Sequence, residues 1–490
     1  MMHPAKSLVL LALGASPALA QPAPNGAPLT LEQAVQRAAE NGPAGRAALQ
    51  AVRAARWRDK AFDARLMPQL SLDAVAPNLN RAIVPVVQPD GKTLYLAQRQ
   101  MESSFSVTAR QPLPFSGGSL FVSTGLSRLD VYGDKGATRL YQSSPVIIGI
   151  TQGIFRPNRL AWDSREQSLN SDAAERRWLE AREDVSTQAV AAFFDVYSAQ
   201  VTEENAATNV AVNDSLYTLS KGRLEVGKIG ENDLLQSELA LLRARASLDA
   251  AKLATQRARA ALAVTLGIAP DALGPIAPPA QFPEFTADPD KAAAEALRNR
   301  SSMVDLELQD VQASRRVREA QLNNRFGATV TATAGLNQTA PSFGTAYNSL
   351  LDQQRVSVNV QMPIVQWRAG HAEVEAARAD RERTEFVAKN QRATLEQDAR
   401  FAALEIPLDR RQLDLAIKAD SVGAKRFEIA KNRYVIGKIG IDNLYIAQSE
   451  KDAARQSLVQ AMRSYWLGYY RLRRLTLYDF AANKPLTAEP

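Results

Sequence analysis

Val226-Gly-Lys-Ile-Gly-Glu-Asn-Asp-Leu-Leu235 is the stretch that organises the sequence, because a second version follows 210 residues later as Ile436-Gly-Lys-Ile-Gly-Ile-Asp-Asn-Leu-Tyr445. The same offset relates Ile150-Thr-Gln-Gly-Ile-Phe155 to Val360-Gln-Met-Pro-Ile-Val365. One offset that holds at two places about 70 residues apart indicates a duplicated module rather than a chance match. Each copy predicts a strand, a very long helix, a tight Gly-x-x-Gly turn and a returning helix.

The long helices are predicted from the absence of helix-breaking residues. Between about Arg159 and Lys221 the sequence contains neither proline nor glycine. Sixty-odd helical residues span roughly 90 Å at 1.5 Å per residue, a length typical of a coiled coil or a tunnel. The matching helix runs from about Arg368 to Asn432, with a kink expected at Pro407. The returning helices are shorter, at about 231–266 and 441–476.

The first returning helix carries an apolar stripe with four-three spacing, which predicts a coiled coil. Asp249 and Gln256 interrupt the stripe where further apolar residues are expected. Its apolar members are Leu235, Leu239, Leu242, Ala246, Leu253 and Ala260.

The duplication divides the sequence into five segments. Each repeat is expected to contain a helix, membrane strands and a long helical hairpin. Thr30-Leu-Glu-Gln33 predicts a capping box at the first helix, which resumes after Asn41-Gly42-Pro43. The segments are a leader (1–20), a first repeat (21–266), a proline-rich connector (267–289), a second repeat (290–480) and a tail (481–490).

Alternation of apolar and polar residues predicts strands between the helices. Ser104–Arg110 places Phe105, Val107 and Ala109 on one face and hydroxyl groups on the other, and Arg355–Ile364 alternates in the same way. Segments of about ten residues have the length of tilted membrane strands. Aromatic residues near their ends fit an interfacial girdle; they are Phe115, Phe155, Trp162 and Trp367. A soluble sandwich could show the same alternation, but the leader and the repeat favour a membrane β-barrel.

Residues 1–20 have the pattern of a secretory signal peptide, although a first buried helix is the alternative. His3 and Lys6 precede an apolar run, and Ala18-Leu19-Ala20 forms a small-x-small cleavage site. We therefore expect export. Beyond the leader, no stretch reaches about 18 consecutive apolar residues, so no transmembrane helix is predicted. An exported chain of this kind lies either in the periplasm or in an outer membrane held by strands.

Composition excludes several classes of site. The sequence contains no cysteine, which excludes disulfides, thiolate metal sites and a cysteine nucleophile. His371 is the only histidine outside the leader, and its polar surroundings predict a solvated helix residue, so no metal site is expected. The net charge of +7 is spread along the helices, which argues against nucleic-acid binding. No nucleotide-binding or nucleophile-elbow motif is present, so we predict neither a cofactor nor an enzyme.

Together these features resemble the TolC-type outer membrane efflux protein family over nearly the whole chain after the leader. The resemblance rests on the opening Leu29–Asn41, on the strand-to-helix joints Gln152–Phe155 and Gln361–Val365, and on both Gly-x-x-Gly turns. It implies a mainly α-helical protein with a membrane β-barrel. Members of the family are homotrimers, in which four strands per subunit form a twelve-stranded barrel and long helices form a periplasmic tunnel. Residues 77–144 are longer than a simple hairpin loop, and would either extend from the surface or add strands.

The resemblance also assigns roles to the turns. They would lie at the periplasmic tip of the tunnel and contact an adaptor protein that is itself bound to an inner-membrane pump. The residues concerned are Val226, Gly227, Lys228, Ile229, Gly230, Ile436, Gly437, Lys438, Ile439 and Gly440.

Side-chain links close the tip in this family, and two positions match such a link. Asp233 and Tyr434 are the candidate latch, with ordinary exposed tip residues as the alternative. Ile439 occupies the position of a possible latch arginine. Asn443 and Ile446 occupy the positions of constricting aspartates, with Asp442 adjacent. A cation-binding acidic ring is therefore not implied.

The predicted function is a passive outer-membrane conduit that receives substrates from a pump and an adaptor. The sequence leaves two other hypotheses open. One is the outer-membrane exit of a type I protein secretion system, and the other is a periplasmic coiled-coil scaffold.

Overall fold

The computed structural model describes residues 28–133, 136–279 and 281–486, apart from the side chains of residues 76 and 96. The predicted leader and the last four residues of the predicted tail lie outside the described residues. The helices are α1 (Leu31–Asn41), α2 (Pro43–Leu66), α3 (Arg159–Glu225), α4 (Glu231–Leu266), α5 (Pro289–Asn299), α6 (Ser301–Asn323), α7 (Ala369–Val435) and α8 (Ile441–Thr476). The strands are β1 (Gln69–Val87), β2 (Thr93–Leu113), β3 (Gly118–Gly133), β4 (Gly136–Ile154), β5 (Gly327–Ala340), β6 (Leu351–Gln361) and a short pair, β7 (Tyr478–Asp479) and β8 (Lys484–Pro485).

Both predicted long helices are confirmed. α3 and α7 each contain 67 residues and end directly before the Gly-x-x-Gly turns, and α4 and α8 each contain 36. The predicted capping box is also confirmed, because the Thr30 hydroxyl accepts from the backbone of Gln33 while the Gln33 side chain accepts from the backbone of Thr30. α7 continues through Pro407 without interruption.

The chain divides into two compact units, and each takes segments from both sequence repeats. The first comprises Met1–Ala44, Val185–Pro283 and Gln412–Leu467, and the second comprises Gly45–Asp184, Glu284–Arg411 and Gly468–Pro490. The repeat boundaries at residues 266 and 290 stay a prediction about the duplication.

In the first unit, polar contacts join the long helices side by side in the order α4, α3, α8, α7. Arg245 of α4 pairs with Asp214 of α3 at 3.2 Å. Asn209 of α3 donates to Asp452 of α8 at 2.7 Å. Arg455 of α8 then pairs with Asp420 of α7 at 3.2 Å. α4 and α7 are therefore the outer helices of this row.

The coiled-coil stripe predicted on α4 does not lie in the packed interface of the chain. Leu235, Leu239, Leu242 and Leu253 are each about half exposed. The buried or half-buried seam lies on another face, and it has the same four-three spacing. Its members are Ser237, Leu241, Ala244, Leu248, Ala251, Thr255, Ala258 and Leu262. Most of these residues are small, so helices can approach closely there, and the larger leucines on the other face dominate the sequence pattern.

In the second unit, β1 to β6 form one antiparallel sheet in chain order. The resemblance implies four strands per subunit, whereas this sheet has six, because residues 77–144 add strands. One unbroken row of directly opposed residues crosses the whole sheet: Gln69, Arg110, Phe121, Gly149, Thr333 and Arg355.

The two faces of this sheet differ in polarity, because opposed residues share a face and successive residues alternate. Leu70 and Ile148 on one face are 76% and 51% exposed, respectively. The row on that face is Leu70, Ala109, Val122, Ile148, Ala334 and Gln354. The next row, on the opposite face, is Ser71, Thr108, Ser123, Ile147, Gly335 and Gln353. The sheet therefore presents an exposed, mainly apolar face and a more polar face.

Candidate functional site at the paired helix tips

The two Gly-x-x-Gly turns have the same backbone structure. At the first turn, Gly227 donates to Leu224 at 2.9 Å and Lys228 donates to Arg223 at 2.8 Å. At the second, Gly437 and Lys438 donate to Tyr434 and Arg433 at the same two distances. This pair of bonds is the Schellman motif that ends a helix. Gly227 and Gly437 have φ values of 68° and 75°, a conformation that side chains disfavour, which explains why glycine recurs at this position.

The predicted tip residues lie in these turns, and most of their side chains are exposed. Val226 and Ile436 are 67% and 64% exposed, and Lys228 and Lys438 are exposed beside them. Ile229 and Ile439 are half-buried. Each turn therefore presents one aliphatic and one basic side chain to the outside.

Tyr434 is buried, and it contacts Arg223 rather than Asp233. The Arg223 guanidinium carbon lies 5.1 Å from the centre of the Tyr434 ring. Its Nη2 donates to the carbonyl oxygens of Tyr434 and Val435, at 3.2 and 3.3 Å. Arg223 thus links the end of α3 to the end of α7, and its positive charge lies at the negative end of the α7 dipole.

Of the other predicted latch residues, Asp442 makes a polar contact between the repeats. Asp442, at the start of α8, accepts a hydrogen bond from Gln236 of α4 at 2.9 Å. Asn443 is exposed and Asp233 is half-buried. Within the described part of the chain, the structure gives no hydrogen bond between Asp233 and Tyr434. The latch role of this pair stays a prediction.

A small hydrophobic core holds the tips together. Its buried members come from α3, α7 and α8, and Ile439 of the second turn packs against them. They are Leu216, Phe427, Tyr434 and Leu444. Tyr445 borders this cluster, and burial, with smaller contributions from Tyr434 and Asp442, raises its pKa to about 12. Tyr445 is therefore neutral at physiological pH.

Arg223 and Gln236 are the contact residues that the sequence reasoning missed. At the 210-residue offset, Arg223 corresponds to Arg433 and Tyr434 corresponds to Leu224. The Arg223–Tyr434 contact therefore joins positions that the repeat does not relate to each other. The available sequence signal was the pairing of a basic residue near the end of α3, Arg223, with an aromatic residue near the end of α7, Tyr434.

Neither a metal centre nor a membrane-spanning helix is found in the described residues. No helix among them combines the length and the apolar character that crossing a bilayer requires. These described residues also contain no group of three or more His, Cys, Asp or Glu side chains that could hold a metal ion.

The structure is similar to solved outer-membrane channels. The CmeC outer membrane channel of Campylobacter jejuni matches with a TM-score of 0.67 and 16% identity, over 94% of this chain and 87% of CmeC. The chain has the fold of these channels. The outer membrane protein VceC of Vibrio cholerae matches with a TM-score of 0.65 and 14% identity, over 93% of this chain and 97% of VceC. The expected TolC-type resemblance is confirmed for the fold.

Sequence comparison gives a shorter match. The outer membrane efflux protein BepC of Brucella suis is 29% identical over 147 residues. This match covers 29% of the present chain and 32% of BepC. No protein-family model matches the sequence.

Proposed function

We propose that the protein is the outer-membrane channel of a tripartite efflux system. It conducts substrates passively to the exterior from an inner-membrane pump and a periplasmic adaptor. In this proposal three copies join, the strands form a barrel in the outer membrane and the long helices form a tunnel in the periplasm. The name of the Brucella suis relative, an efflux protein, favours efflux over protein secretion.

The two-faced sheet is the observation that carries this proposal. Only closed barrels allow strands to satisfy their backbone hydrogen bonds within lipid. Exposed residues such as Leu70 and Ile148 suit contact with lipid, whereas Thr108 and Ser123 on the other face suit a water-filled lumen. A soluble scaffold would need another layer to cover the exposed apolar face.

The outer helices of the first unit support self-association. α4 exposes the stripe that contains Leu235, Leu239 and Leu242. α7 exposes a second stripe with a strict seven-residue repeat, the period of a left-handed coiled coil. Its members in the first unit are Leu415, Val422 and Ile429. Because α4 and α7 lie at opposite ends of the row, joining α7 of one copy to α4 of the next closes a ring.

The exposed turns support adaptor docking at the tip. Val226 and Ile436 provide aliphatic contacts, and Lys228 and Lys438 provide charge. The tip is held by a small hydrophobic core and by the polar contacts of Arg223 and Gln236, and an outward movement of these helices breaks the polar contacts between the repeats.

Cysteine cross-linking tests the ring without interference from native thiols, because the chain contains no cysteine. Leu242 and Val422 lie about three and about four helical turns, respectively, from their Gly-x-x-Gly turns. We expect Leu242→Cys combined with Val422→Cys to give covalent oligomers in outer-membrane fractions, and each single variant to remain uncross-linked. A soluble monomeric product in the periplasmic fraction would support the scaffold hypothesis instead.

The latch assignment has its own test. If Asp233 and Tyr434 close the tip in the assembled channel, Asp233→Ala and Tyr434→Phe raise the conductance of the purified channel in a planar bilayer. Unchanged conductance in both variants removes the assignment and leaves the channel function intact.

A further inference from the structure

The hairpin formed by β2 and β3 extends to the same end of the sheet at which the helices join the strands. Its turn follows Leu113 and precedes Gly118, which are directly paired. Gln69, the first residue of β1 after α2, pairs with Arg110 near this turn. Ser119 of β3 pairs with Thr151, three residues before β4 ends and the chain leads to α3. The hairpin therefore spans the sheet to its helix-proximal end.

Side chains from both flanking joints hold this turn. Gln111 donates to the carbonyl oxygen of Leu66, the last residue of α2, at 2.8 Å. Asn158, directly before α3, donates to Pro114 at 2.7 Å, and Gln152 donates to Ser116 at 2.8 Å. The turn thus lies between the α2–β1 joint and the β4–α3 joint, as expected for a hairpin that is part of the wall.

β3 is also fitted to β4 by side-chain shape. Phe121 is directly opposite Gly149, and a Cβ atom at Gly149 would lie 2.3 Å from the Phe121 ring. Arg110 of β2 makes a cation–π contact with the same ring, with its guanidinium carbon 5.6 Å from the ring centre. These contacts join β2, β3 and β4 across one row of the sheet.

The polarity of the two faces continues through the hairpin. Ala109 and Val122 share a face with Leu70 and Ile148, while Thr108 and Ser123 lie on the opposite face. Alternation in step with the flanking strands is not expected for a surface loop outside the barrel. It is expected for a strand with one face in lipid and the other in water.

We propose that all six strands of each copy form the barrel wall, so that three copies close an eighteen-stranded barrel in which β6 of one copy pairs with β1 of the next. This inference rests on the proposed trimeric channel. Six is an even number, so β6 and the following β1 are antiparallel, as in the rest of the sheet. The unpaired edges of β1 and β6, which would be costly in lipid, satisfy each other.

The functional consequence is a wider outer end. Barrel diameter grows roughly in proportion to strand number, so eighteen strands give a barrel about 1.5 times as wide as twelve. The membrane barrel would then admit bulkier solutes than a twelve-stranded barrel. The helical part of the channel would then set the maximum size of the solutes that pass.

One cysteine pair distinguishes the arrangements, with no cross-link expected for the six-strand wall, and two further pairs are adjacent in both arrangements. Ala109→Cys with Val122→Cys places thiols on directly opposed residues of β2 and β3. Leu70→Cys with Ile148→Cys places them on β1 and β4, which two strands separate here and which become neighbours if the hairpin lies outside the wall. Ile148→Cys with Ala334→Cys is adjacent in both arrangements and serves as the positive control. A cross-link between residues 70 and 148 within one chain overturns the six-strand wall.

Thiol labelling in intact cells provides a second readout. A membrane-impermeant maleimide is expected to label Thr108→Cys and Ser123→Cys through the lumen, and to leave Ala109→Cys and Val122→Cys protected by lipid. Equal labelling at all four positions contradicts the proposal. If the purified variants still form conducting oligomers, equal labelling contradicts only the six-strand wall. If the unmodified chain forms neither oligomers nor a conducting pore, the proposed channel function itself is wrong.

Discussion

The two copies of the repeat share their turns and differ in nearly everything that contacts the turns. Both helical hairpins end in the same Schellman motif with glycine at positive φ. The side chains around the turns have diverged, because Tyr434 corresponds to Leu224 and Asp442 corresponds to Asn232. The copies also contribute unequally to the large sheet, since the first supplies four strands and the second supplies two. Duplication thus preserved the backbone, while contacts between the copies use positions that are not equivalent.

The largest difference between equivalent positions is expected for Leu444 and Leu234. Leu444 is fully buried in the tip cluster, whereas Leu234 is half-buried. Leu444→Ala is expected to lower the local free energy of unfolding by about 3 kcal/mol, as for other buried leucines. Leu234→Ala should cost clearly less. Hydrogen–deuterium exchange of the α4 and α8 amides measures both, and equal losses would show that the two copies pack alike.

The turn glycines should instead behave alike. Gly227→Ala and Gly437→Ala each place a Cβ on a residue with positive φ, at a cost of about 1 to 2 kcal/mol. Neither position has another atom close enough to add a steric clash. The same exchange measurement on the two turns tests this. A difference of more than about 1 kcal/mol between the variants would contradict the identical backbone roles inferred here.

Arg223 and Arg433 occupy equivalent positions, and among the described residues the structure gives contacts between the repeats to Arg223 only. Arg223→Ala removes a cation–π contact and two hydrogen bonds at the end of α7, and is expected to destabilise the tip by about 1 kcal/mol. Arg433 is exposed, and Arg433→Ala serves as the matched control. Thermal unfolding of the tip helices in both variants provides the test, and a larger effect at Arg433 would refute the asymmetry.

Tyr445 gives a pH-dependent prediction. Its pKa is about 12 in the folded chain, higher than the value of about 10 in an unfolded chain. Its contribution to stability is therefore complete below pH 10 and is lost as the pH rises from 10 to 12. Tyr445→Phe is expected to reduce the loss of tip stability in this range. Tyr469 of the second unit also has a pKa of about 12, so exchange must be measured at the tip rather than over the whole chain. An unchanged pH dependence at the tip would show that Tyr445 remains accessible to water.

The sequence predicted those features that depend on backbone chemistry. Glycine and proline mark the ends of α3 and α7, and the observed ends at Glu225 and Val435 lie within four residues of the predicted ones. The capping box at Thr30 and the strand alternation in β6 follow from local rules, so they were also predictable.

Features that depend on packing between distant segments were harder to predict. The buried seam of α4 contains Ser237, Ala251 and Thr255, which carry little hydrophobic signal. The exposed leucines on the other face gave the stronger pattern. β1 and β2 continue into polar stretches such as Gln98–Glu102, where alternation is weak, so the number of strands could not be settled. Arg223 and Gln236 were missed because their partners lie in the other repeat at positions that the offset does not relate.

Single-channel conductance of the purified oligomer in a planar lipid bilayer, recorded alongside its molecular mass, is the decisive test of the channel function. We expect a trimer that inserts into the bilayer and conducts ions in discrete steps. A water-soluble monomer that forms no pore would contradict the channel function and, with it, the roles assigned to the helix tips and the six-stranded sheet.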